Sequence, residues 1–332
     1  MNPFTYRRAT DRGEAIREVA GNNKAKFLAG GTNLIDLMKV NVQAPNELVD
    51  INRLALKKIE PTPSGLRIGA LASNSDVATN ALVRENFPVL SEALLAGASP
   101  QLRNMATVGG NLMQRTRCYY FIDTAFPCNK RAPGSGCPAI PGFNRIHAIL
   151  GASDKCIAVH PSDMCVALAA LDAVINVEGP RGARQIPVTD FHRLPGDTPQ
   201  TDTNLQPDEL IVAVDLPSSG FARRSRYLKI RDRAQYAFAL VSVAAALDIQ
   251  EGRINAARLA LGGVAHKPWR ALDAERVLTG ARADAQTFKA AAEAAVRGAV
   301  PQKHNAFKIE LAKRAVARLL NEVAAGATGG AA

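Results

Sequence analysis

The N-terminal part of the chain alternates between helical and strand-like patterns of apolar residues. Ala15, Ile16 and Val19 recur at helical spacing behind a capping residue, Thr10 or Asp11. The predicted order of helix, strand, helix and strand is TDRGEAIREVAGN, KAKFLAGG, NLIDLMK and NELVDI. Residues 1–53 therefore predict a small unit of mixed helices and strands.

The rest of the chain mixes strands and helices without an internal repeat. Up to residue 217, the predicted strands and helices are GLRIGAL, SNSDVATNAL, PVLSEALLAGA, SDMCVALAALDAVINVEG (a helix turning into a strand) and DELIVAVDLP. Beyond the charged segment 221–233 come strands at ALVSVAAALDI and INAARLALGGV and helices around 270–279, 283–298 and 306–324. We therefore expect an α+β protein: a first domain at 1–217 with lobes 1–53 and 54–217, a C-terminal α+β domain at 221–325, and a disordered tail at 326–332.

Composition and charge exclude some classes of protein. The chain has 41 basic and 30 acidic side chains, a net charge of +11. We expect most of this charge to be dispersed over the surface, although the dense segment FARRSRYLKIRDR could meet an acidic subunit or a cofactor phosphate. No nucleic-acid recognition motif accompanies the charge. The sequence also predicts no membrane span and no signal peptide of its own.

Two glycine pairs follow strand-like or helix-like runs. In the first, a strand ends at Ala29-Gly30-Gly31, and Thr32 and Asn33 begin a helix that either residue could cap. Glycines let backbone N–H groups approach a phosphate, and a helix N-terminus adds free donors. The segment TVGGN repeats this chemistry later in the chain. Each motif alone is more typical of a simple turn, and neither matches the Rossmann or P-loop pattern.

Together these motifs resemble the FAD-binding subunits of the xanthine dehydrogenase and molybdenum hydroxylase family, over nearly the whole chain. The resemblance implies a two-lobed FAD-binding domain of the vanillyl-alcohol-oxidase type, followed by a C-terminal α+β domain. It assigns the first pyrophosphate loop to Lys26, Phe27, Leu28, Ala29, Gly30, Gly31, Thr32 and Asn33, and the second to Thr107, Gly109, Gly110 and Asn111.

The same resemblance assigns four further flavin contacts. Ser162 and Asp163 match a Ser-Asp pair near the ribityl and phosphate groups, although Asp163 could also cap the helix that it begins. Ile211, with Val212 as the neighbouring choice, would lie on the isoalloxazine ring. Lys229 would stabilise negative charge on the reduced ring. The five histidines are scattered and none pairs with an obvious carboxylate, which suits a subunit that passes electrons.

Four of the five cysteines lie in one block, residues 112–160, that separates the second glycine loop from the Ser-Asp pair. Their spacing is C-x9-C-x8-C-x18-C, and the block is rich in proline and glycine. It lacks sustained periodicity, so we expect it to need a staple rather than a buried core. Cys165 lies outside the block, in a predicted helix, and is expected to be a small buried side chain.

Several kinds of staple are compatible with these cysteines. Two disulfides would require oxidising conditions. Zinc could bind four thiolates, or three with His147 or His160, but its usual short C-x2–4-C knuckles are missing. A 4Fe–4S cluster accepts ligands from irregular loops and is the favoured reading, with free thiols as the remainder.

A minority of the family carries a cluster-binding insertion at this point, and this one resembles that of the periplasmic aldehyde oxidoreductases of bacteria. The resemblance implies the 4Fe–4S ligands Cys118, Cys128, Cys137 and Cys156. It also implies a heterotrimer with a molybdenum-cofactor large subunit and a 2Fe–2S small subunit. The chain would then carry electrons from aldehyde oxidation through FAD to an external acceptor. Assembly is expected in the cytoplasm, with folded export to the periplasm on a partner's signal.

Three other functions compete with this reading. A flavin subunit like that of 4-hydroxybenzoyl-CoA reductase or xanthine dehydrogenase would use the same parts on another substrate. A stand-alone flavin oxidase would need a catalytic base, and the sequence offers none. A zinc-stapled binding protein without flavin would explain the cysteines but not the two glycine loops.

Overall fold

The computed structural model describes residues 1–326, and the predicted tail lies almost wholly outside them. The first lobe is a three-stranded parallel sheet in the order β1–β3–β2. Its elements are β1 (Thr5–Arg8), α1 (Arg12–Ala20), β2 (Ala25–Leu28), α2 (Leu34–Lys39) and β3 (Glu47–Asp50). Asp11 caps α1 by accepting from the N–H of Glu14 at 2.8 Å.

The second lobe is a five-stranded antiparallel sheet in the order β4–β5–β8–β6–β7, packed against short helices. Its strands are β4 (Ile59–Thr62), β5 (Gly65–Gly69), β6 (Val174–Gly179), β7 (Gly182–Pro187) and β8 (Leu210–Pro217). Its helices are α3 (Asn74–Thr79), α4 (Ala81–Asn86), α5 (Pro88–Ala96), α6 (Pro100–Met105), α7 (Val108–Leu112), α8 (Tyr119–Ile122), α9 (Asp163–Ala170) and α10 (Val188–Phe191).

The C-terminal domain is a four-stranded antiparallel sheet, β12–β11–β10–β9, covered by three helices. The strands are β9 (Ser225–Ile230), β10 (Val241–Gln250), β11 (Arg253–Gly262) and β12 (Trp269–Arg270). The helices are α11 (Leu272–Leu278), α12 (Ala285–Ala295) and α13 (Phe307–Ala324). Alanines and β-branched residues of β10 and β11 are fully buried beneath these helices.

The predicted α+β class is confirmed, and the differences are local. The segment predicted as one helix, SNSDVATNAL, is two helices because Asn80 adopts an extended conformation (ψ 130°) and caps α4 with its side chain. The charged segment 221–233 is not one basic surface. Part of it is β9, in which Arg226 pairs with Glu92, while Arg224 donates to the last carbonyls of α13.

The expectation that the cysteine block buries no core was wrong. Its residues form a small cluster around Phe121 and Ile157, and Ile149 and Leu150 extend into the core of the C-terminal domain. Hydrogen bonds across this contact hold the block in place: Asn305 donates to the carbonyls of residues 147 and 148, both at 3.2 Å. The block has no periodicity because it packs as irregular chain between two domains.

Among residues 1–326, no helix combines the length and the apolar character needed to cross a bilayer.

Candidate functional site

A cleft of about 490 Å³ lies where the two glycine loops meet. It is lined by residues of both lobes and of the C-terminal domain, and its size is typical of a small-molecule site. The predicted residues that line it directly are Thr32, Asn33, Gly110, Asn111, Asp163 and Lys229. The structure therefore brings together side chains that are far apart in the sequence.

The first loop passes so close to the second lobe that only glycine fits at position 30. A Cβ there would lie 1.8 Å from the carbonyl oxygen of Met105, far inside van der Waals contact. Gly31 has a φ of +73°, which side-chain-bearing residues rarely adopt. Within residues 1–326, the N–H groups of Gly31 and Thr32 donate to no protein acceptor. They remain as donors for a ligand anion.

The second loop is hydrogen-bonded to the segment between β5 and α3. Thr107 caps α7 by accepting from the N–H of Gly110 at 3.2 Å. The N–H groups of Val108 and Gly109 donate to the carbonyls of Ala72 and Ala70 at 3.0 and 2.8 Å. Most donors of this loop are thus already used. Its contribution to the cleft is the missing Cβ of Gly110 and the side chain of Asn111.

Asparagines at the cleft leave buried polar atoms without a protein partner. The sequence left Asn33 as a possible cap of α2, but its side chain makes no capping hydrogen bond. Its Oδ1 accepts from the N–H of Arg115 at 3.0 Å, and its Nδ2 is unsatisfied. The Oδ1 of Asn74 is also unsatisfied. Buried polar atoms are rarely left unpaired, so both atoms fit hydrogen bonds to a polar ligand.

Asp163 is held by two side chains of β9. Its Oδ2 accepts from the Lys229 ammonium at 2.8 Å, and its Oδ1 accepts from the Tyr227 hydroxyl at 2.5 Å. The cap of α9 is Ser162, which accepts from the N–H of Cys165 at 3.1 Å, so the capping role considered for Asp163 was wrong. Burial, followed by the Asp163 charge, raises the pKa of Tyr227 well above its usual value.

Ser162 links this helix to the second glycine loop. Its hydroxyl donates to the Oδ1 of Asn111 at 2.6 Å, and the same oxygen accepts from Gln114 at 2.6 Å. Asn111 is therefore fixed in orientation from two sides. Asn111 is predicted to contact the cofactor, and Ser162 orients its side chain through this hydrogen bond.

Positive charge dominates the lining. The cations are Arg103, Arg117, Lys229 and Arg233, and the anions are Asp36 and Asp163. Apolar contacts come from side chains such as Leu94, Leu102 and Phe238. A cleft with this charge suits a negatively charged ligand with an apolar portion. No sequence motif marks Asn74, Arg103, Arg117 or Phe238, because each lies in an ordinary helix or loop pattern.

Several predicted residues lie outside the lining. Lys26, Phe27, Leu28 and Ala29 form or follow β2, which leads into the first loop, and burial lowers the pKa of Lys26. Ile211 is 6% exposed and packs in the core of the second lobe. The structure does not bring it to this cleft, and its neighbour Val212 also packs in a core. The flavin contact of Ile211 stays a prediction.

The four cysteines of the block, Cys118, Cys128, Cys137 and Cys156, surround one small cavity. No disulfide joins any of them. Tyr120, Phe121 and Pro127 complete an apolar wall. Burial raises the pKa of Cys118 to about 12 and that of Cys156 to about 11. A metal centre would therefore have to displace protons from these thiols.

One backbone N–H lies within hydrogen-bonding distance of a sulfur: that of Ala158 donates to the Cys156 sulfur at 3.4 Å. Nearby backbone N–H groups also lower the pKa values of Cys118 and Cys137, against the larger effect of burial. Each such hydrogen bond favours thiolate over thiol. Donors of this kind suit an iron–sulfur cluster, whose potential depends on hydrogen bonds to its sulfurs.

The thiols are spaced more widely than the ligands of a single bound zinc ion. Zinc bound at about 2.3 Å to each thiolate brings the sulfurs about 3.8 Å apart. Within residues 1–326, the single group of three or more ligand atoms all within 4.8 Å of one another is His160, Cys165 and His192, away from the cavity. Of the histidines considered with zinc, His147 contacts the Cys118 sulfur at 3.1 Å, and burial lowers its pKa to about 4.

The fold and the cleft define a class of protein. Residues 2–219 match the family model "FAD binding domain in molybdopterin dehydrogenase", and residues 226–323 match "CO dehydrogenase flavoprotein C-terminal domain". The chain belongs to the FAD-binding medium subunits of the molybdenum hydroxylase family, as its motifs had predicted, and these are subunits of oxidoreductases.

Individual relatives match most of the chain. It is 52% identical to the aldehyde oxidoreductase FAD-binding subunit PaoB of Escherichia coli K12, over 98% of this chain and all of that one. It is 31% identical to the glyceraldehyde dehydrogenase medium chain of Sulfolobus acidocaldarius, over 83% of this chain and 81% of that one. Among solved structures, quinoline 2-oxidoreductase from Pseudomonas putida 86 superposes with a TM-score of 0.76 at 26% identity, covering 98% of both chains.

Proposed function

We propose that this chain is the FAD- and 4Fe–4S-carrying electron-transfer subunit of a molybdenum hydroxylase complex that oxidises aldehydes. The observation that carries the proposal is the position of the cysteine cavity beside the cleft. Arg117 and Ile122 line the cleft, while Cys118, Tyr120 and Phe121, which lie between them in the sequence, line the cavity. One short helix, α8, thus separates the two sites, a favourable arrangement for electron exchange.

The residues of the cleft fit an anionic dinucleotide. The free N–H groups of Gly31 and Thr32 and the unsatisfied amide of Asn33 would hold its pyrophosphate. The ammonium of Lys229 is already shared between Asp163 and the carbonyl of Ala96, at 2.8 and 3.1 Å. The Lys229 ammonium would therefore mainly orient Asp163 for hydrogen bonds to the ligand. When bound, FAD would accept two electrons and release them singly or in pairs.

The cavity would hold the cluster through the sulfurs of Cys118, Cys128, Cys137 and Cys156. Phe121, which is 1% exposed, and Tyr120 would keep water from it. When bound, the cluster would carry single electrons. The relatives whose names state an aldehyde substrate support the aldehyde assignment. The chemistry on the substrate would take place in a molybdenum-bearing large subunit, with a 2Fe–2S small subunit as the third chain.

Matched cysteine variants test the cluster assignment. Cys128→Ser in the anaerobically purified protein should lose iron and the broad visible absorbance of the cluster while retaining FAD. Cys165→Ala is the control, because this thiol is fully buried in the core and away from the cavity. It should retain both iron and FAD. Equal iron in Cys128→Ser and wild-type protein would refute the ligand set.

The aldehyde assignment is tested on the complex. Adding an aldehyde anaerobically should bleach the flavin absorbance of the complete complex but not that of the isolated chain. A complex whose flavin is unaffected by aldehydes, or an isolated chain that oxidises them, would contradict the proposal.

A further inference from the structure

A buried cation adjoins the cysteine cavity. Lys130 lines the cavity, and its side chain is 1% exposed. Its ammonium donates to the carbonyl oxygen of Pro199 at 2.7 Å, to the carboxylate of Asp202, and to the Nε2 of His266 at 2.7 Å. Three acceptors saturate its three N–H bonds. The charge is therefore fixed in place rather than free to swing into solvent.

The groups around Lys130 leave a net positive charge. Asp202 pairs with both Lys130 and Arg115. His266 donates from Nδ1 to the carbonyl of Arg193 at 2.7 Å, which leaves the lone pair of Nε2 to accept from Lys130. Burial lowers the pKa of His266 to about 4, so this ring is neutral at pH 7. Two cations and one anion remain, and the sum is +1.

We propose that Lys130 is a tuning residue, whose buried charge raises the reduction potential of the cluster that the four cysteines bind. The inference rests on the proposed function. Reduction adds one negative charge to a cluster, and a fixed cation nearby stabilises the reduced state. The effect is large where solvent and salt cannot screen it.

A second lysine of the cavity offers a contrast to Lys130. Lys155 also lines the cavity, but its side chain is 47% exposed and pairs with Asp154 at 2.9 Å. Water and a counter-charge screen its effect on the cavity.

The test is an EPR-monitored redox titration of the cluster in the anaerobic holoprotein, in which mediators supply the electron. In Lys130→Met, the ratio of reduced to oxidised cluster at a fixed ambient potential should fall about tenfold, which is 59 mV for one electron. Lys130→Arg should keep the reduction potential close to that of wild type, because it retains the charge. Lys155→Met should leave the potential within error of wild type.

A variant with the opposite charge change tests the sign of the shift in reduction potential. Asp202→Asn removes the anion and should raise the potential, whereas a purely structural role would move both variants in the same direction. Equal shifts in Lys130→Met and Lys155→Met, or shifts of one sign in Lys130→Met and Asp202→Asn, would overturn the role of Lys130. Wild-type protein without iron would instead overturn the cluster assignment itself, so the two failures are distinguishable. Should Lys130→Met not fold, Asp202→Asn still tests the sign of the effect, because it changes the net charge beside the cavity.

Discussion

The contact of Gly30 with the second lobe predicts that adding one methyl group there releases the flavin. In Gly30→Ala, the new Cβ would lie 1.8 Å from the Met105 oxygen, whereas ordinary contact begins near 3.4 Å. The first loop must therefore move away by about 1.6 Å, the difference between these distances. Overpacking of this kind typically costs about 1–3 kcal/mol.

The displacement moves the first loop, which would hold the pyrophosphate, away from the second lobe. Because hydrogen bonds weaken steeply with length, we expect FAD affinity to fall by at least about tenfold, or 1.4 kcal/mol. The assay is FAD released per purified chain, together with the dissociation constant of FAD for the deflavinated protein and its melting temperature without FAD. The control is Gly220→Ala, since a Cβ at that position meets no atom within 4 Å. Wild-type FAD affinity in Gly30→Ala would refute the close contact of the loops.

Three other predictions concern charge. Asp163→Asn should destabilise the protein by about 3–5 kcal/mol, measured by denaturant unfolding, because it leaves the Lys229 side chain, 4% exposed, without its carboxylate; stability within error of wild type would contradict this role. Burial lowers the pKa of His192 to about 4, below that of an unfolded histidine, so the unfolded state binds more protons and stability should fall as pH drops from about 6.5 to 4. His192→Gln should flatten this slope in melting curves, and an unchanged slope would exclude His192 as its source. In the metal-free protein, iodoacetamide should modify Cys128 before Cys118 or Cys156, which are buried and have raised pKa values; mass spectrometry of the timed reaction would reveal any other order.

Much of the fold was predictable because its elements are locally patterned. The strand–glycine–helix order around Gly30, the passage from α9 into β6 and the three C-terminal helices are all as predicted. The strands that were missed are β1, β4, β7, β9 and β12, which are short or rich in polar residues. Their formation depends on pairing with another strand, which the residue pattern within one short segment does not encode.

The candidate site was predictable where a motif marks it. Gly30, Gly110, Asp163 and Lys229 stand in such motifs, and the four clustered cysteines are unusual in number and spacing, so these residues were visible in the sequence. The pairing of Asp163 with Tyr227 and Lys229 was not visible, because these side chains face it only through the pleat of β9. Lys130 was also missed, since its acceptors come from residues about 70 and 136 positions away.

The central claim is that one chain carries both a flavin and an iron–sulfur cluster. The most direct measurement is the content of FAD, iron, acid-labile sulfide and zinc in the protein purified without oxygen, with an EPR spectrum after dithionite reduction. We predict about one FAD, four iron and four sulfide per chain, with the signal of a reduced cluster. Zinc in place of iron, or FAD with neither metal, would contradict the account.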